Sequence, residues 1–123
     1  MSAVLALAEK FVAAIEAGDI EAVKACYAAD AEIWHNFDNI NQSVTDNLKV
    51  LGWMSGVLSE RRYEILRRVE IPGGYLQQHV LHGKLKSGAP FSMPACLVVQ
   101  VAGGRITRLE EYLDVAQAAV LRA

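Results

Sequence analysis

Three short segments carry side chains suited to proton transfer or ligand recognition. They are Trp34-His35-Asn36, the run from Gln77 to His82, and the run from Leu109 to Asp114. A carboxylate, an imidazole and an amide that converge in an apolar cavity can accept, donate and position a proton. The chemistry therefore depends on which of these side chains point into one space.

The first segment lies in a short predicted strand over residues 31–36, where side chains alternate in direction. Trp34 and Asn36 should share one face and His35 the other. We expect the Trp34 and Asn36 face to line a pocket, with an aromatic wall beside an amide that donates and accepts hydrogen bonds. The alternative is a packing tryptophan beside a strand-end asparagine.

The second segment, QQHVLH, places His79 and His82 three residues apart. On a regular strand they point to opposite faces, so both enter one pocket only through a bulge. This spacing is also poor for joint ligation of one metal ion, and we predict no metal site. One histidine should face the pocket, although a structural or exposed role is the alternative for each.

The third segment ends the last predicted strand with Asp114, which shares a face with Tyr112. A carboxylate beside a tyrosine in an apolar cavity is a candidate general base or acid. The alternative is that Asp114 caps a short helix over residues 115–121.

The elements that must position these groups are helices first and strands afterwards. Apolar spacing predicts a helix that is capped by Ser2 and ends at Gly18, and a second helix capped by Asp19 with Tyr27 on its apolar face. After a polar loop over residues 38–42, a third helix begins after Ser43 and carries Trp53. Alternating patterns with short turns between them predict long strands over 61–71, 75–85, 91–101 and 105–114.

Short turns require antiparallel neighbours, and helices before strands indicate the α+β class. We therefore expect three N-terminal helices packed on a strongly curved, mostly antiparallel sheet that forms a cone with an internal pocket. No repeat or linker interrupts the pattern, so residues 1–123 are expected to form one domain.

Composition narrows the class of protein. The 123 residues carry 12 basic and 14 acidic side chains, a formal net charge of −2. This balance argues against a nucleic-acid partner. The longest apolar runs fall short of the roughly 18 residues that a membrane span needs, so we expect no membrane partner and a cytoplasmic location. Cys26 and Cys96 are too few and too far apart for a disulfide framework.

The hydrophobic fraction of 53% is high for so small a domain. This excess should fill a pocket, a subunit interface or both. The strand over residues 91–101 is largely apolar on both faces. One face meets the helices, so we expect the other to be buried in a homodimer formed through the sheet.

The segments YAADAEIWHNFDN and QQHVLHGKLKSGAPFSMPACLVVQVAGGRITRLEEYLD resemble the SnoaL-like branch of the nuclear-transport-factor-two-like superfamily. The resemblance covers nearly the whole chain and implies the cystatin-like α+β cone fold. Its members include polyketide cyclases, ketosteroid isomerases, limonene epoxide hydrolases and proteins that only bind ligands or partners. Such a fold does not by itself determine the activity of a protein.

The resemblance also implies roles for single residues. Asn36 matches the water-positioning asparagine of the epoxide hydrolases, Trp34 replaces their tyrosine, and Asp114 matches their final-strand base. Val80-Leu81-His82 falls on their Arg-x-Asp segment, so His82 stands where the acid should be and the arginine is absent. The base of the ketosteroid isomerases falls near His35 or Asn36, where no carboxylate stands unless Asp38 turns inward.

We therefore predict acid–base catalysis without a cofactor on an apolar metabolite that bears a carbonyl or epoxide, by an isomerase, cyclase or hydrolase. Asp114 is the expected base, Asn36 holds a water, and His82 is the acid, or His79 if a bulge reverses the register. The expected ligand-binding side chains are those of Trp34, Tyr27, Trp53, His79 and Tyr112. The alternatives are non-catalytic binding of an apolar ligand and a dimerisation module.

Overall fold

The computed structural model describes residues 2–122, in which helices pack against one face of a sheet. The helices are α1 (Ala3–Ala17), α2 (Ile20–Cys26), α3 (Val44–Val57) and the short α4 (Val115–Ala119), which continues into a 3-10 helix over Val120–Arg122. The strands are β1 (Tyr27–His35), β2 (Asn41–Gln42), β3 (Leu58–Ile71), β4 (Gly74–Leu85), β5 (Pro90–Ala102) and β6 (Arg105–Leu113).

The first three helices begin at the predicted caps. The side-chain oxygens of Ser2, Asp19 and Ser43 each accept a hydrogen bond of 3.1 Å from the backbone N–H three residues further on, which satisfies a donor that the first helical turn leaves free. Gly18 ends α1 with a φ of +68°, the left-handed conformation that favours glycine.

Two element boundaries differ from the prediction. Tyr27 does not lie on α2, because its backbone is already extended and pairs with Ile106 of β6 as the first residue of β1. Asn41 and Gln42 were expected in a loop and instead form β2 against the end of β1. In both cases pairing with another strand decides the conformation.

The strands form one sheet in the order β2-β1-β6-β5-β4-β3. The four long strands pair antiparallel in sequence order, β2 is antiparallel to β1, and β1 is parallel to β6. This arrangement confirms the α+β class and a mostly antiparallel sheet with N-terminal helices. The strong curvature of the sheet stays a prediction.

Alternation along the strands defines an inner face that meets the helices and an outer face. On β4, Tyr75, Gln77, His79 and Leu81 are buried on the inner face, whereas Gln78 is exposed. The core lies between this inner face and α1, α2 and α3. No helix within residues 2–122 is long and apolar enough to cross a membrane.

Candidate functional site

A cavity of about 370 Å³ lies between the helices and the inner face of the sheet. Most of its wall is apolar and includes Phe11, Ile33, Met54, Leu81, Leu97 and Leu109. The polar side chains in the wall are those of Tyr27, His35, Asn47, Tyr63, Gln77, His79, Glu111 and Arg122. An apolar cavity with a few convergent polar groups is the usual form of a small-molecule site.

A histidine–carboxylate contact in the cavity wall joins β1 to β6. The parallel register places His35 opposite Glu111, and the His35 Nε2 atom lies 3.0 Å from Glu111 Oε1. The two side chains are only 13% and 19% exposed. Burial by itself lowers the pKa of His35, but the hydrogen bond and negative charge of Glu111, with a contribution from Asp38, outweigh it and raise that pKa above 6.5.

The contact with Glu111 also decides which ring nitrogen of His35 carries a proton. A carboxylate accepts hydrogen bonds, so Nε2–H must donate to it. The other nitrogen, Nδ1, is buried without a hydrogen-bond partner in the part of the chain that the structure describes. In the neutral ring it presents a lone pair, and in the charged ring an N–H.

A second polar group in the wall is formed by neighbouring positions on β4. Gln77 Nε2 lies 2.9 Å from His79 Nδ1, and Arg68 Nε donates to Gln77 Oε1 at 2.8 Å. Gln77 and His79 are almost fully buried. Burial lowers the pKa of His79 more than the charge of Glu111 raises it, and the charge of Arg68 lowers it further. His79 is therefore neutral at neutral pH.

A third polar group ties α3 to the start of β1. The Tyr27 hydroxyl donates to Asn47 Oδ1 at 2.8 Å, and Asn47 Nδ2 donates to Gln42 Oε1 at 3.3 Å. Burial, reinforced by the charge of Glu111, raises the pKa of Tyr27 well above 10.0, so the hydroxyl keeps its proton. This group can hold a ligand but has no proton to give at neutral pH.

The C-terminal segment supplies the last part of the wall. Val115 and Ala118 of α4 and Leu121 of the following 3-10 helix line the cavity. The Arg122 guanidinium lies 4.5 Å from the centre of the Trp53 ring on α3, a cation–π contact. The contact connects the end of the chain to α3 where both border the cavity.

Of the predicted site residues, the structure brings Tyr27, Trp53 and His79 to the cavity. The expectation that Trp34 and Asn36 face inward while His35 faces outward is wrong. Pairing with β6 places His35 inside, and Trp34 therefore packs its ring on Tyr112 outside the cavity, with 5.3 Å between ring centres. Tyr112 is outside for the same reason.

The expected catalytic group of Asn36, His82 and Asp114 does not converge. Asn36 Oδ1 accepts from the backbone N–H of Leu113 at 3.1 Å, which fixes the end of β1. Asp114 is exposed and accepts from the N–H of Ala116 at 2.9 Å, so it caps α4, as the alternative interpretation held. Neither carboxylate nor amide reaches the cavity wall.

His82 lies on the outer face of the sheet. Its Nε2 is 2.8 Å from Glu64 Oε1 and its Nδ1 is 2.8 Å from Ser92 Oγ. It cannot act on a ligand in the cavity, because alternation along β4 turns it away from His79.

Sequence reasoning missed His35, Asn47, Gln77 and Glu111 as site residues. A usable signal was present on β6: Glu111 stands two residues from Leu109 and two from Leu113, and so shares the face of these apolar residues. A charged residue in phase with the buried face of a strand is a stronger candidate than one at the strand end. Within residues 2–122, no group of three or more His, Cys, Asp or Glu side chains is arranged to hold a metal ion.

Several solved structures share this fold. A protein of ketosteroid isomerase-like fold from Catenulispora acidiphila, in complex with trimethylamine, is 14% identical with a TM-score of 0.80, covering 94% of this chain and 90% of that one. PrhC from Penicillium brasilianum is 16% identical with a TM-score of 0.86, covering 97% and 85%. An LEH-like epoxide hydrolase from M. tuberculosis is 20% identical with a TM-score of 0.78, covering 97% and 88%.

At these identities the similarity concerns the fold alone. No curated protein matches the chain significantly. A family model described as a SnoaL-like domain matches residues 8–109, which is most of the chain. The chain therefore belongs to the SnoaL-like domain family.

Proposed function

We propose that this protein is an acid–base enzyme that needs no cofactor and acts on an apolar, carbonyl-bearing small molecule. The observation that carries the proposal is the buried His35–Glu111 pair in the wall of an otherwise apolar cavity that also contains a neutral His79. Isomerases, cyclases and hydrolases of carbonyl compounds share a need for a base and for a donor that stabilises charge on oxygen.

In the proposed reaction, Glu111 is the base. His35 engages Oε1 and orients the carboxylate, which leaves Oε2 for the ligand. Oε2 takes a proton from the carbon next to the carbonyl, and the electron pair of that C–H bond moves toward the carbonyl oxygen. His79 donates a hydrogen bond to the oxygen as its negative charge grows.

The rest of the wall supports binding of an apolar skeleton. Phe11, Ile33 and Leu97 exclude water, which strengthens the polar contacts inside the cavity. Trp53 supplies an aromatic surface, and Tyr27 is fixed in place by Asn47. We therefore retain the expectation that Tyr27, Trp53 and His79 contact the ligand.

A matched pair of probes tests the proposal. β-Tetralone and tetralin share one bicyclic skeleton, but only the ketone has a carbonyl and acidic C–H bonds beside it. We expect β-tetralone to bind more tightly in calorimetry and the protein to accelerate its hydrogen–deuterium exchange in D₂O, followed by proton NMR, at least about tenfold over buffer. Binding without exchange would favour the non-catalytic alternative, and binding of neither probe would overturn the proposal.

We further propose that two copies pair through the outer face of the sheet. Trp34 and Tyr112 pack together there, and Leu76, Val80 and Val98 add apolar surface on the neighbouring strands. Light scattering at micromolar concentration should give the mass of a dimer, and Tyr112→Arg should give that of a monomer. A monomeric wild type would contradict the pairing.

A further inference from the structure

Arg68 lies on β3, outside the cavity wall, and contacts the wall residue Gln77 on the neighbouring strand β4. It stands opposite Gln77 in the pairing of β3 with β4, and its Nε lies 2.8 Å from Gln77 Oε1. A guanidinium has only donors, so the atom it contacts must be the amide oxygen of Gln77 and not the amide nitrogen. Arg68 thereby allows one orientation of this amide.

The orientation of Gln77 in turn determines the proton on His79. With its oxygen turned to Arg68, the amide directs its NH₂ group to His79 Nδ1, at 2.9 Å. An NH₂ group only donates, so Nδ1 must accept and carries no hydrogen. The neutral ring then holds its proton on Nε2. If the amide reversed, its oxygen would accept from Nδ1–H and the proton would leave Nε2.

The other ring nitrogen, Nε2, is left available to a ligand. His79 lines the cavity, and its Nε2 pairs with no group among residues 2–122. Among residues 2–122, the side-chain polar atoms that are fully buried without a partner are His35 Nδ1 and Tyr75 Oη. His79 Nε2 is not one of them, so it is not closed off from the cavity. The Tyr63 ring packs against the imidazole edge to face, with 4.8 Å between ring centres, and restricts its rotation.

We propose that Arg68 is a positioning residue, which fixes the Gln77 amide so that His79 presents a single N–H donor to an acceptor oxygen of the ligand. The site then favours carbonyl and anionic oxygens over ligand groups that only donate. For the identity of the ligand group this inference rests on the proposed function, whereas the state of the His79 ring is independent of it.

A fixed donor also improves binding. A ring divided between two tautomers binds an acceptor with only the fraction that carries Nε2–H, and the apparent affinity falls by that fraction. Arg68, itself partly buried, removes the competing state before a ligand arrives. This is preorganisation of a donor for the site where charge develops.

Nitrogen NMR reads the ring directly. The chain has three histidines, so a long-range proton–nitrogen spectrum of ¹⁵N-labelled protein contains three ring systems, and His79→Gln assigns one of them. In the ligand-free wild type we expect His79 to be neutral, with its proton on Nε2. Arg68→Met should move a large part of the population to Nδ1–H.

Two further variants sharpen the test. Gln77→Glu preserves the size of the side chain but replaces the donor with a carboxylate, which accepts from both Arg68 and His79, so His79 should become protonated at Nδ1. Gln77→Glu tests the inference if Arg68→Met does not fold. Arg67→Met is the matched control, since Arg67 is the exposed neighbour that stands opposite Gln78, and its spectrum should match the wild type.

Arg68→Met should lose several-fold of its affinity for β-tetralone, as expected for one hydrogen bond, and keep its affinity for tetralin, whereas Arg67→Met should keep both affinities. A wild-type ring protonated at Nδ1, or a spectrum that neither Arg68→Met nor Gln77→Glu alters, overturns the inference. A ring that switches as described in a protein that neither binds nor exchanges β-tetralone supports the role of Arg68 and overturns the proposed function.

Discussion

His35 of β1 and Glu111 of β6 stand directly opposite each other on adjacent parallel strands, and their side chains meet inside the cavity with 3.0 Å between Nε2 and Oε1. The pair depends on register, because a shift of one residue would turn either side chain to the outer face. The parallel register of β1 and β6 therefore determines where the histidine–carboxylate contact forms in the cavity wall.

His35 should contribute to the reaction through Glu111. In His35→Leu the carboxylate loses the group that orients it, and we expect deuterium exchange of β-tetralone to fall about tenfold or more. His82→Leu is the matched control, because His82 also pairs with a glutamate, but on the outer face. Equal exchange rates in the two variants would contradict the role of His35.

The two cavity histidines should give opposite dependences of stability on pH. The folded-state pKa of His35 is raised, so its contribution is complete below 6.5 and is lost as the pH rises through the raised value. The folded-state pKa of His79 is lowered, so its contribution is complete above 6.5 and is lost as the pH falls toward the lowered value.

Melting temperatures of two variants check this pair of signs. Between about pH 8 and pH 5, His79→Gln should gain stability relative to the wild type as the pH falls, whereas His35→Gln should lose it. Differences that run in the same direction for both variants would contradict one of the two pKa shifts.

The turn between β3 and β4 should tolerate no side chain at Gly74. A Cβ there would collide with the backbone carbonyl of Val99 on β5. We expect Gly74→Ala to lower the free energy of unfolding by about 1–3 kcal/mol, as for other overpacked sites. Gly52→Ala in α3 meets nothing within 4 Å and should raise it by up to about 1 kcal/mol, since alanine favours the helix. Urea unfolding measures both.

The Arg122–Trp53 contact should slow the release of a ligand. Arg122→Gln removes a cation–π interaction worth about 0.5–1 kcal/mol at an exposed site, so the dissociation rate of β-tetralone should rise about two- to fivefold in line-shape analysis by NMR. Arg62→Gln changes an exposed arginine outside the cavity wall and should leave the rate unchanged. An unchanged rate in Arg122→Gln would mean that the C-terminal segment does not limit release.

Local signals predicted much of the fold. Helix caps and strand alternation depend on residues that are close together in the sequence. The first three helix starts, at Ser2, Asp19 and Ser43, were therefore predictable, and so was the shared face of His79 and Leu81 on β4. The short turns likewise required the antiparallel order of the four long strands.

The site was less predictable, because β1 and β6 meet in parallel through pairing between distant parts of the chain. The bulk of Trp34 suggested an inward side chain, but the outer face holds its own aromatic pair with Tyr112. Asp114 stood at a strand end where a cap and a catalytic base have the same sequence signal. Glu111 and its neighbour Glu110 differ in the face of β6 that they occupy, since Glu111 is in phase with the buried Leu109 and Glu110 is not.

That distinction gives the most direct measurement. Glu111 lines the cavity, whereas Glu110 is turned away and pairs with Arg108 at 3.1 Å. The rate of β-tetralone deuterium exchange in D₂O should fall about 10²-fold or more in Glu111→Gln and remain at the wild-type value in Glu110→Gln. Exchange at the wild-type rate in Glu111→Gln would contradict the assignment of the cavity base.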